Sequence, residues 1–411
     1  MTGSTVVDGF APSAETRELR AAVRAFVDER VIPAEPELGA EDALSVGGPM
    51  RALQEEAKRA ELWALGLPED IGGGGLSFMD YVYVNEIVGR SEHAMIALGT
   101  HSAQDATMLN LYASDAQRER WLRPLVDGEI YPSIGMTEPE VAGSDPTGVQ
   151  ATAELDGDEW VVNAHKWFTT GANVAAFTTV FCVTEPDAPP HARCSMVIVP
   201  TDSPGYEVVR VIPVMGGVSG AHCEIRLTDV RVPADSLLGG RGEAFRIAQD
   251  RLGPGRIYHC MRWLGQAQRA FDLMCERALE REAFGSPLAR KQTVQNWIAD
   301  SAAEIQAARL MTLHAAAKID AAMQGESSGD ARVEIALIKF FGAKVLHDVI
   351  DRAIQVHGAL GVSADRPLER MYRHARFARI YDGPDEVHRI SAARRILGAY
   401  GDGAPGWDFA S

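Results

Sequence analysis

The spacing of hydrophobic residues changes twice along this 411-residue chain, and this change constrains the fold more than any other feature. Up to about residue 130, and again after residue 238, apolar side chains recur every three or four positions, as in amphipathic α-helices. The segments between are short, rich in β-branched residues and separated by turns, which predicts strands. We therefore predict a mainly α protein with a central β-barrel. Its parts are an N-terminal helical domain (1–130), an antiparallel β-barrel domain (131–237) and a C-terminal four-helix bundle (238–411).

The helical parts divide into segments that the sequence delimits. Pro33 is expected to end the first helix, because proline lacks the N–H that a helix interior needs. A run of four glycines at 72–75 has no following Lys-Ser/Thr and no preceding strand, so we interpret it as a plain loop and not a phosphate-binding loop. The predicted helices are 15–31, 50–65, 78–112, 265–282, 293–323, 331–356 and 368–380.

The middle part carries a strong hairpin signal. Segments 149–155 and 160–165 flank Asp156-Gly157, which suits the positive φ angles of a type I′ turn. Further strands are predicted at 177–184, 195–200, 206–214 and 223–232. Because no helix intervenes, short antiparallel strands of this number favour a compact barrel. No GxGxxG follows a strand, so a Rossmann nucleotide site is not expected.

Charge and cysteine usage exclude several classes of protein. The 57 acidic and 40 basic residues give a formal net charge of −17, which disfavours nucleic acid and anionic membranes as partners. Five cysteines without a CxxC pair predict neither a disulfide framework nor a metal site. The first residues do not resemble a signal peptide, and no run reaches the ~18 apolar residues of a membrane span. A soluble, cytoplasmic protein is expected.

Three segments concentrate polar groups that folding alone does not require. The first is Ile134-Gly135-Met136-Thr137-Glu138-Pro139, followed by Gly143-Ser144-Asp145. The second, residues 166–171, combines two aromatic and two hydroxyl side chains, which suit a flat heteroaromatic ligand. Each also has a structural interpretation, since strand ends often carry Thr and Gly. The third, residues 381–389, is either a helix stop followed by an acidic first turn or the source of a positioned carboxylate base.

Together, the domain order and these segments resemble the acyl-CoA dehydrogenase family over about residues 15–395. Thr137-Glu138-Pro139 with Gly143-Ser144-Asp145 resembles the first signature of the family, and Tyr381-Asp382-Gly383 falls where the second carries its catalytic acid. Gln355-Val356-His357-Gly358-Ala359-Leu360-Gly361 is similar to the Gln-x-x-Gly-Gly-x-Gly loop of the family, and Arg281 with Phe284 to its Arg-x-x-Phe-Gly segment. Within the family, residues 251–257 and 382–388 resemble the branch of human acyl-CoA dehydrogenase family members ten and eleven.

The resemblance implies FAD as cofactor, held between the barrel and the C-terminal bundle. Ile134, Met136 and Thr137 would contact the isoalloxazine ring, with Phe168 where most members have Trp and Thr170 near flavin N5. The adenine and pyrophosphate end would be bound by a neighbouring subunit, so a homodimer or homotetramer is expected. The residues assigned to cofactor binding outside the barrel are Arg281, Phe284, Gln292, Gln355, Gly358, Gly361, Pro384 and Glu386.

The resemblance also implies the reaction. Asp382 would remove the α-proton of an acyl-CoA thioester and the β-hydrogen would leave as hydride to flavin N5. Ser144 would approach the CoA moiety, and electron-transfer flavoprotein would be the electron acceptor. Most members use Glu as base, whereas the branch of members ten and eleven has Asp. Arg256 either tunes the charge near the base and substrate or forms an ion pair at a helix end.

Two other functions remain open from the sequence. Flavin oxidases and monooxygenases share this architecture, and oxygen consumption with peroxide production would favour them. A binding protein that has lost its flavin is the second alternative, and a colourless purified protein would favour it. Thr137, Thr170, Arg281, Phe284 and Gln355 argue for a retained cofactor.

Overall fold

The computed structural model describes residues 11–38, 48–215, 222–325, 331–401 and 406–409. Within them, helices occupy the two ends of the chain and strands occupy the middle, as the periodicity predicts. The described residues group into two units. One contains those up to Asp28, Ser77–Ala94 and those from Pro254 onward, and the other contains those of Glu29–Leu76 and Met95–Gly253.

The N-terminal part is helical, with more interruptions than the sequence predicts. Helical turns continue through Pro33 to Ala34, so the prediction that Pro33 ends the helix is wrong by one residue. The predicted helix over 78–112 is three helices. The bounds are α1 Ala14–Phe26, α2 Gly48–Arg59, α3 Phe78–Val88 and α4 Ala103–Tyr112, with shorter helices at Ile32–Ala34, Ala94–Ala97, Asp115–Gln117 and Arg123–Val126, π-helical turns at Val27–Val31 and Arg118–Leu122, and a 3₁₀ turn at Glu69–Ile71.

The glycine run at 72–75 is a plain loop, as predicted. The N–H groups of Gly73, Gly74 and Gly75 donate to backbone carbonyls of preceding residues at 2.9, 3.1 and 2.9 Å. These donors are therefore used within the loop, and a phosphate could not take them without breaking it.

Eight strands form one sheet in the middle of the chain, with the order β6-β7-β3-β2-β4-β5-β8 and β1 paired to β4. Strands β4 and β5 are buried along almost their whole length, and the apolar core of this unit lies around them. The bounds are β1 Pro132–Gly135, β2 Thr152–Asp156, β3 Glu159–Thr170, β4 Phe177–Val183, β5 Cys194–Pro200, β6 Tyr206–Val211, β7 His222–Pro233 and β8 Leu237–Leu238.

The sheet corrects the prediction of a closed antiparallel barrel. Strands β6 and β8 lie at the two ends of the pairing order, and among the described residues they do not pair with each other. Two pairings, β1 with β4 and β2 with β4, are parallel. The sheet is therefore open, since its two end strands do not pair within the described part of the chain, and mixed, since two of its pairings are parallel.

The predicted hairpin is present, but its turn differs by one residue. Asp156 pairs with Glu159, so Gly157 and Asp158 are the two central residues of the turn. Of the two, Gly157 has a positive φ, +67°, and Asp158 does not. A type I′ turn requires positive φ at both central positions, whereas type II′ requires it at the first alone. The observed φ signs therefore fit type II′.

The C-terminal part contains four long helices and one shorter helix. Their apolar faces form one buried core with α3, to which residues such as Met274, Val349 and Ile350 contribute. No helix among the described residues is both long and apolar enough to span a bilayer. The bounds are α5 Ala244–Glu280, α6 Gln292–Met323, α7 Arg332–His357, α8 Leu368–Phe377 and α9 Asp385–Gly401, with short strands β9 Glu282–Ala283 and β10 Ser286–Pro287 and a 3₁₀ turn at Gly358–Val362.

Helix α5 begins 21 residues before the predicted start at Gly265 and runs through Gly253-Pro254-Gly255. Proline and glycine are the weakest helix formers, so the local sequence argues against this stretch. Tertiary contacts compensate on both sides of Pro254. Arg251 pairs with Asp105 at 3.2 Å, and Ile257 is completely buried.

Two glycines allow α3 and α5 to approach closely. A Cβ at Gly265 would lie 2.0 Å from the carbonyl oxygen of Glu86, and a Cβ at Gly89 would lie 2.2 Å from that of Arg262. Backbone atoms cannot move aside as side chains can, so only glycine fits at either position.

We predict that Gly265→Ala lowers the free energy of unfolding by roughly 3 kcal/mol, because the two helices must separate to admit the methyl group. Chemical denaturation of the purified variant measures this change. Gly253→Ala is the matched control, since it lies in the same helix and its Cβ would have nothing within 4 Å. It should instead stabilise by about 0.5–1 kcal/mol. Equal effects of the two substitutions would contradict the packing argument.

Candidate active site

A tight turn joins α8 to α9 and presents Asp382. Asp382 has φ +53° and Gly383 has φ +101°. A left-handed conformation costs a non-glycine residue about 1 kcal/mol or more, and Asp tolerates it better than most. The φ of Gly383 would strain any residue with a Cβ, and a Cβ there would also lie 2.7 Å from Nε2 of His388, so glycine is favoured. Strain of this kind is held in place by surrounding contacts.

Three basic side chains bind the carbonyl groups of this turn. Arg256 Nε donates to the carbonyl oxygen of Asp382 at 3.2 Å, and His388 Nε2 donates to the same oxygen at 3.0 Å. Lys339, which is completely buried, donates from Nζ to the carbonyls of Ala378 at 2.7 Å and Gly383 at 3.4 Å. The backbone that carries Asp382 is therefore held from α5, α7 and α9.

The Asp382 carboxylate lies beside His259 of α5. Its Oδ2 is 3.0 Å from His259 Nε2, and its side chain is 20% exposed. The two other carboxylates of the segment have different roles. Asp385 is buried, accepts from Arg379 Nε at 2.8 Å and lies in the first turn of α9, whereas Glu386 is exposed. Of the three acids, Asp382 thus combines partial burial with partial access.

Buried cations dominate the electrostatics around Asp382. Burial lowers the pKa values of Arg256 and Lys339, and the Asp382 charge opposes this shift in both. Burial and then the adjacent Arg262 guanidinium lower the pKa of His259, again against the pull of Asp382. Positive groups that are costly to bury stabilise an anion between them, so the surroundings favour an ionised carboxylate.

An aromatic pair lines the same region. Trp263 Nε1 donates to the hydroxyl oxygen of Tyr381 at 2.7 Å. Lys339 Nζ lies 5.1 Å from the Trp263 ring centroid and 5.2 Å from that of Tyr381, which is cation–π distance. The rings fix the position of Tyr381, the residue that precedes Asp382.

Arg256 is not at a helix end. It lies well inside α5, so the helix-end ion pair considered for it is wrong. Its guanidinium contacts the turn that carries Asp382, which agrees with the alternative of a group that tunes charge near the base.

In the other unit, a buried ion pair anchors the first two sequence segments. Lys166 and Glu138 have 0% and 2% exposed side chains, and Lys166 Nζ lies 2.7 Å from Glu138 Oε1. Lys166 also donates to the carbonyls of Met136 and Phe181 at 3.1 and 2.7 Å. Burial raises the pKa of Glu138, but Lys166 and the N–H groups of residues 150 and 151 outweigh it and hold that pKa below its usual value. The loop after β1 is thus attached to β3.

The side chains of the anchored loop and of the adjoining strand range from half-buried to exposed. Ile134, Met136 and Thr137 are half-buried, and the Trp167 N–H donates to the carbonyl of Thr137 at 3.0 Å. Phe168 follows with a φ of +50° and a side chain that is 45% exposed. A bulky residue in a left-handed conformation with an exposed ring is unusual and points to a ligand-facing role.

Polar groups accompany this exposed ring. Trp167 Nε1 is buried and has no hydrogen-bond partner among the described residues. The Thr170 hydroxyl lies 2.9 Å from His222 Nδ1, and a hydroxyl can both donate and accept, so it keeps capacity for a second partner. An aromatic face with nearby donors suits a planar heteroaromatic ring. Ser144 lies exposed in the turn that follows the same loop.

Phe284 stands at the tip of a short hairpin between β9 and β10. Phe284 and Gly285 both have positive φ, +52° and +74°, and the Phe284 side chain is 100% exposed. Arg281 and Gln292, on either side of the hairpin, are also exposed. The Phe284 ring is therefore accessible to solvent, and its turn has a conformation that is unfavourable for a bulky residue.

The glycine loop after α7 is built on close backbone contact. Gly358 ends the helix with φ +63°, and its N–H donates to the carbonyls of Ile354 and Gln355. A Cβ at Gly361 would lie 2.6 Å from the carbonyl oxygen of Ile354. Both glycines are therefore required by the backbone, while Gln355 and Gly358 remain exposed. Pro384 is half-buried ahead of α9.

Sequence reasoning missed the residues that hold Asp382. Within the first unit the structure brings Asp382 together with Arg256, for which the sequence left two roles open, and with His259, Lys339 and His388, which were not predicted. The spacing of Arg256, His259 and Trp263 at i, i+3 and i+7 would have placed them on one helix face. That signal was lost because α5 was predicted to begin at Gly265, beyond all three.

Models of one family match almost the whole chain. The N-terminal, middle and C-terminal domains of acyl-CoA dehydrogenases match residues 13–129, 133–230 and 242–397. Probable acyl-CoA dehydrogenase FadE2 of Mycobacterium tuberculosis is 44% identical over 402 residues, which cover 94% of this chain and 97% of that protein. The predicted resemblance to the family and its branch is confirmed.

The branch itself is represented by acyl-CoA dehydrogenase family member 11 of Mus musculus. It is 40% identical over 94% of this chain, but the chain spans only 51% of that protein's length. Among solved structures, a Mycobacterium abscessus protein provisionally described as an acyl-CoA dehydrogenase superimposes with a TM-score of 0.89 at 40% identity, covering 95% of this chain and 100% of that one.

We predict that Lys166→Met destabilises the protein by about 3–5 kcal/mol, because it leaves the Glu138 carboxylate buried without its cation. Denaturant unfolding measures the loss. The double variant Lys166→Met/Glu138→Gln should regain part of it, since no charge is then buried and the amide oxygen can still accept from one of the N–H groups of residues 150 and 151, which donate to separate carboxylate oxygens. A double variant no more stable than Lys166→Met would refute this account.

We also predict a pH-dependent contribution from His388. Burial lowers the pKa of His388 to about 4. The unfolded imidazole binds its proton below about pH 6.5, so the unfolded state takes up more protons between these values and stability falls as pH falls through this window. The loss between pH 7.5 and 5 should be about 2 kcal/mol.

His388→Asn tests this contribution by difference. The variant should show a shallower decline of unfolding free energy between pH 6.5 and 4 than the parental protein. Parallel stability curves for the two proteins would mean that His388 titrates normally in the folded state.

Proposed function

Because the chain belongs to the acyl-CoA dehydrogenase family, we propose that it desaturates an acyl-CoA thioester between the α and β carbons to give a trans-2-enoyl-CoA. Membership of this family makes the chain an oxidoreductase that acts on acyl-CoA. The observation that carries the proposal is the Asp382 carboxylate, half-buried on a turn whose carbonyl groups are bound by Arg256, Lys339 and His388.

FAD is the proposed cofactor, as in the family. The residues of the β-sheet unit fit a flavin ring on two counts: the exposed Phe168 face, and the Trp167 Nε1 donor that has no partner among the described residues. Ile134, Met136 and Thr137 would contact the ring from the loop that Lys166 and Glu138 anchor. When bound, FAD would accept the hydride equivalent that leaves the β carbon.

In the helical unit, a second set of residues would hold the rest of FAD. The proposal assigns the adenine and pyrophosphate end to residues of a neighbouring subunit in a homodimer or homotetramer. The complete exposure of Phe284, on a hairpin tip with positive φ, leaves its ring accessible to a partner copy there. This set is Arg281, Phe284, Gln292, Gln355, Gly358 and Gly361. Pro384 and Glu386 are further proposed cofactor contacts.

The proposed role of Asp382 is to take the α-proton of the thioester onto its carboxylate. Removal of this weakly acidic proton needs a base with restricted hydration and donors for the developing enolate oxygen. Arg256 and His388 fix the backbone position of Asp382, since both donate to its carbonyl oxygen. The Asp382 backbone N–H is the proposed oxyanion donor. Ser144, exposed on its turn, is the proposed contact for the CoA moiety, and Arg256 the proposed second contact near the substrate.

The electrons are proposed to pass to electron-transfer flavoprotein. Anaerobic addition of acyl-CoA thioesters, followed by visible absorbance, tests the first half of the reaction. Bleaching of the flavin band with enoyl-CoA formation supports a dehydrogenase. Reoxidation by oxygen with peroxide release would show an oxidase instead, and a protein that binds no flavin would overturn the proposal.

We predict that Asp382→Asn retains FAD but lowers the rate of acyl-CoA desaturation by roughly 10²–10⁴-fold, because an amide cannot accept the α-proton. Single-turnover flavin reduction measures this rate. Parental rates in the variant would remove Asp382 from the role of base.

Phe284→Ala is the contrasting variant. Its side chain is remote in sequence from the base and fully exposed, so the variant should fold normally and lose bound FAD, seen as a lower flavin-to-protein absorbance ratio. Unchanged flavin content in this variant would contradict the role proposed for the hairpin.

A further inference from the structure

Three side chains form a line of close polar contacts that ends at the carboxylate of Asp382: Arg262 hydrogen-bonds His259, and His259 lies at ion-pair distance from Asp382. A guanidinium nitrogen of Arg262 lies 2.8 Å from Nδ1 of His259. The other ring nitrogen of His259, Nε2, lies 3.0 Å from Oδ2 of Asp382. Arg262 and His259 are three residues apart on α5, so they project from neighbouring positions of the same helix face.

Chemistry sets which ring nitrogen of His259 carries the proton. A guanidinium can only donate, so Nδ1 of His259 must accept. In a neutral imidazole the other nitrogen, Nε2, then carries the proton, and Nε2 is the nitrogen that lies 3.0 Å from Oδ2 of Asp382. His259 is thus a neutral ring whose protonated nitrogen lies beside the carboxylate of the base.

The surroundings keep His259 neutral. Burial and the Arg262 charge lower the pKa of His259, so that the Asp382 charge does not protonate it near neutral pH. The His259 ring lies 5.0 Å from that of Tyr381 and stacks at 6.2 Å on that of Trp263, which restricts its rotation. The titratable and charged groups around the His259–Asp382 pair are Arg256, Cys260 and Arg262 on α5, Lys339 on α7, Tyr381 in the turn and His388 on α9.

A donor on one carboxylate oxygen has two consequences for the base. It fixes the rotation of the carboxylate, so that the second oxygen keeps one direction. It also stabilises the ionised form, which is the form that can accept a proton. An aspartate has one torsion fewer than a glutamate, so a held backbone and a held Oδ2 leave its other oxygen little freedom.

We propose that His259, itself held by Arg262, is a positioning residue that orients and keeps ionised the Asp382 carboxylate for α-proton removal. This rests on the proposed function of Asp382 as base. The proposal concerns residues that none of the sequence motifs contains.

Two substitutions of His259 separate hydrogen bonding from packing. His259→Leu fills the space without a donor, whereas the amide nitrogen of His259→Gln can reach the position of Nε2. We expect His259→Leu to lower the rate of flavin reduction by roughly 100-fold, because the Asp382 carboxylate is no longer held in one orientation. FAD content and KM should not change. The acid limb of its kcat/KM profile should move up by roughly one pH unit, because the ionised carboxylate has lost a donor. His259→Gln should restore most of both.

His347→Leu is the matched control for His259→Leu. His347 lies half-buried on α7, where its ring contacts Tyr372 at 4.7 Å. It has the same substitution and a comparable setting away from the turn, so its rate and pH profile should equal those of the parental protein.

A measurement that does not depend on turnover tests the protonation of His259 between Arg262 and Asp382. In protein labelled with ¹⁵N-histidine, the His259 signal, assigned by its loss in His259→Gln, should show a neutral ring protonated at Nε2. Arg262→Met should raise the pKa of His259 and make the ring easier to protonate at both nitrogens, because the guanidinium charge that opposes protonation is lost. A parental His259 that carries its proton on Nδ1, or that is charged at neutral pH, would overturn the proposal.

The kinetic outcomes distinguish this proposal from the one on which it rests. Parental protein that holds FAD but is reduced by no acyl-CoA would overturn the proposed function and the catalytic role of the line with it. Parental reduction with an unaltered rate and pH profile in His259→Leu would overturn the role of His259 alone.

Discussion

The candidate site depends on the carbonyl groups of one buried turn, which must find donors outside it. Between α8 and α9 the chain makes too few backbone hydrogen bonds to satisfy the carbonyls of Ala378, Asp382 and Gly383 internally. A buried carbonyl without a donor is costly, so the surrounding helices supply side-chain donors. The donors are Arg256, Lys339 and His388, and two of them are permanently basic groups.

This solution has an electrostatic consequence. The side chains that donate to the carbonyl groups of the turn also place positive charge near the Asp382 carboxylate. The same contacts therefore fix the backbone of the turn and favour the ionised form of Asp382. The positive φ of Asp382 is tolerated because these contacts hold the turn in its conformation. A similar arrangement occurs in the β-sheet unit, where Lys166 satisfies two carbonyls and pairs with Glu138.

Local patterns predicted much of this arrangement. The helices after residue 238, the strands from β3 to β7 and the segments that carry Met136, Phe168 and Asp382 follow from periodicity and turn-forming residues. The choice among the acids of 381–389 did not follow, because Asp382, Asp385 and Glu386 are equally plausible in sequence. Their burial and partners separate them: Asp385 pairs with Arg379, Glu386 faces solvent and Asp382 meets His259.

The sequence by itself determined the order of helices and strands and the family, since these depend on spacing and on motifs that are read residue by residue. Only the tertiary structure decided that the sheet is open, that α5 continues through Pro254 and that Arg262, His259 and Asp382 form a line. The physical reason is that each of these depends on contacts between residues far apart in the chain. Arg251 with Asp105 and Arg256 with Asp382 are 146 and 126 positions apart, and no local pattern encodes such a pairing.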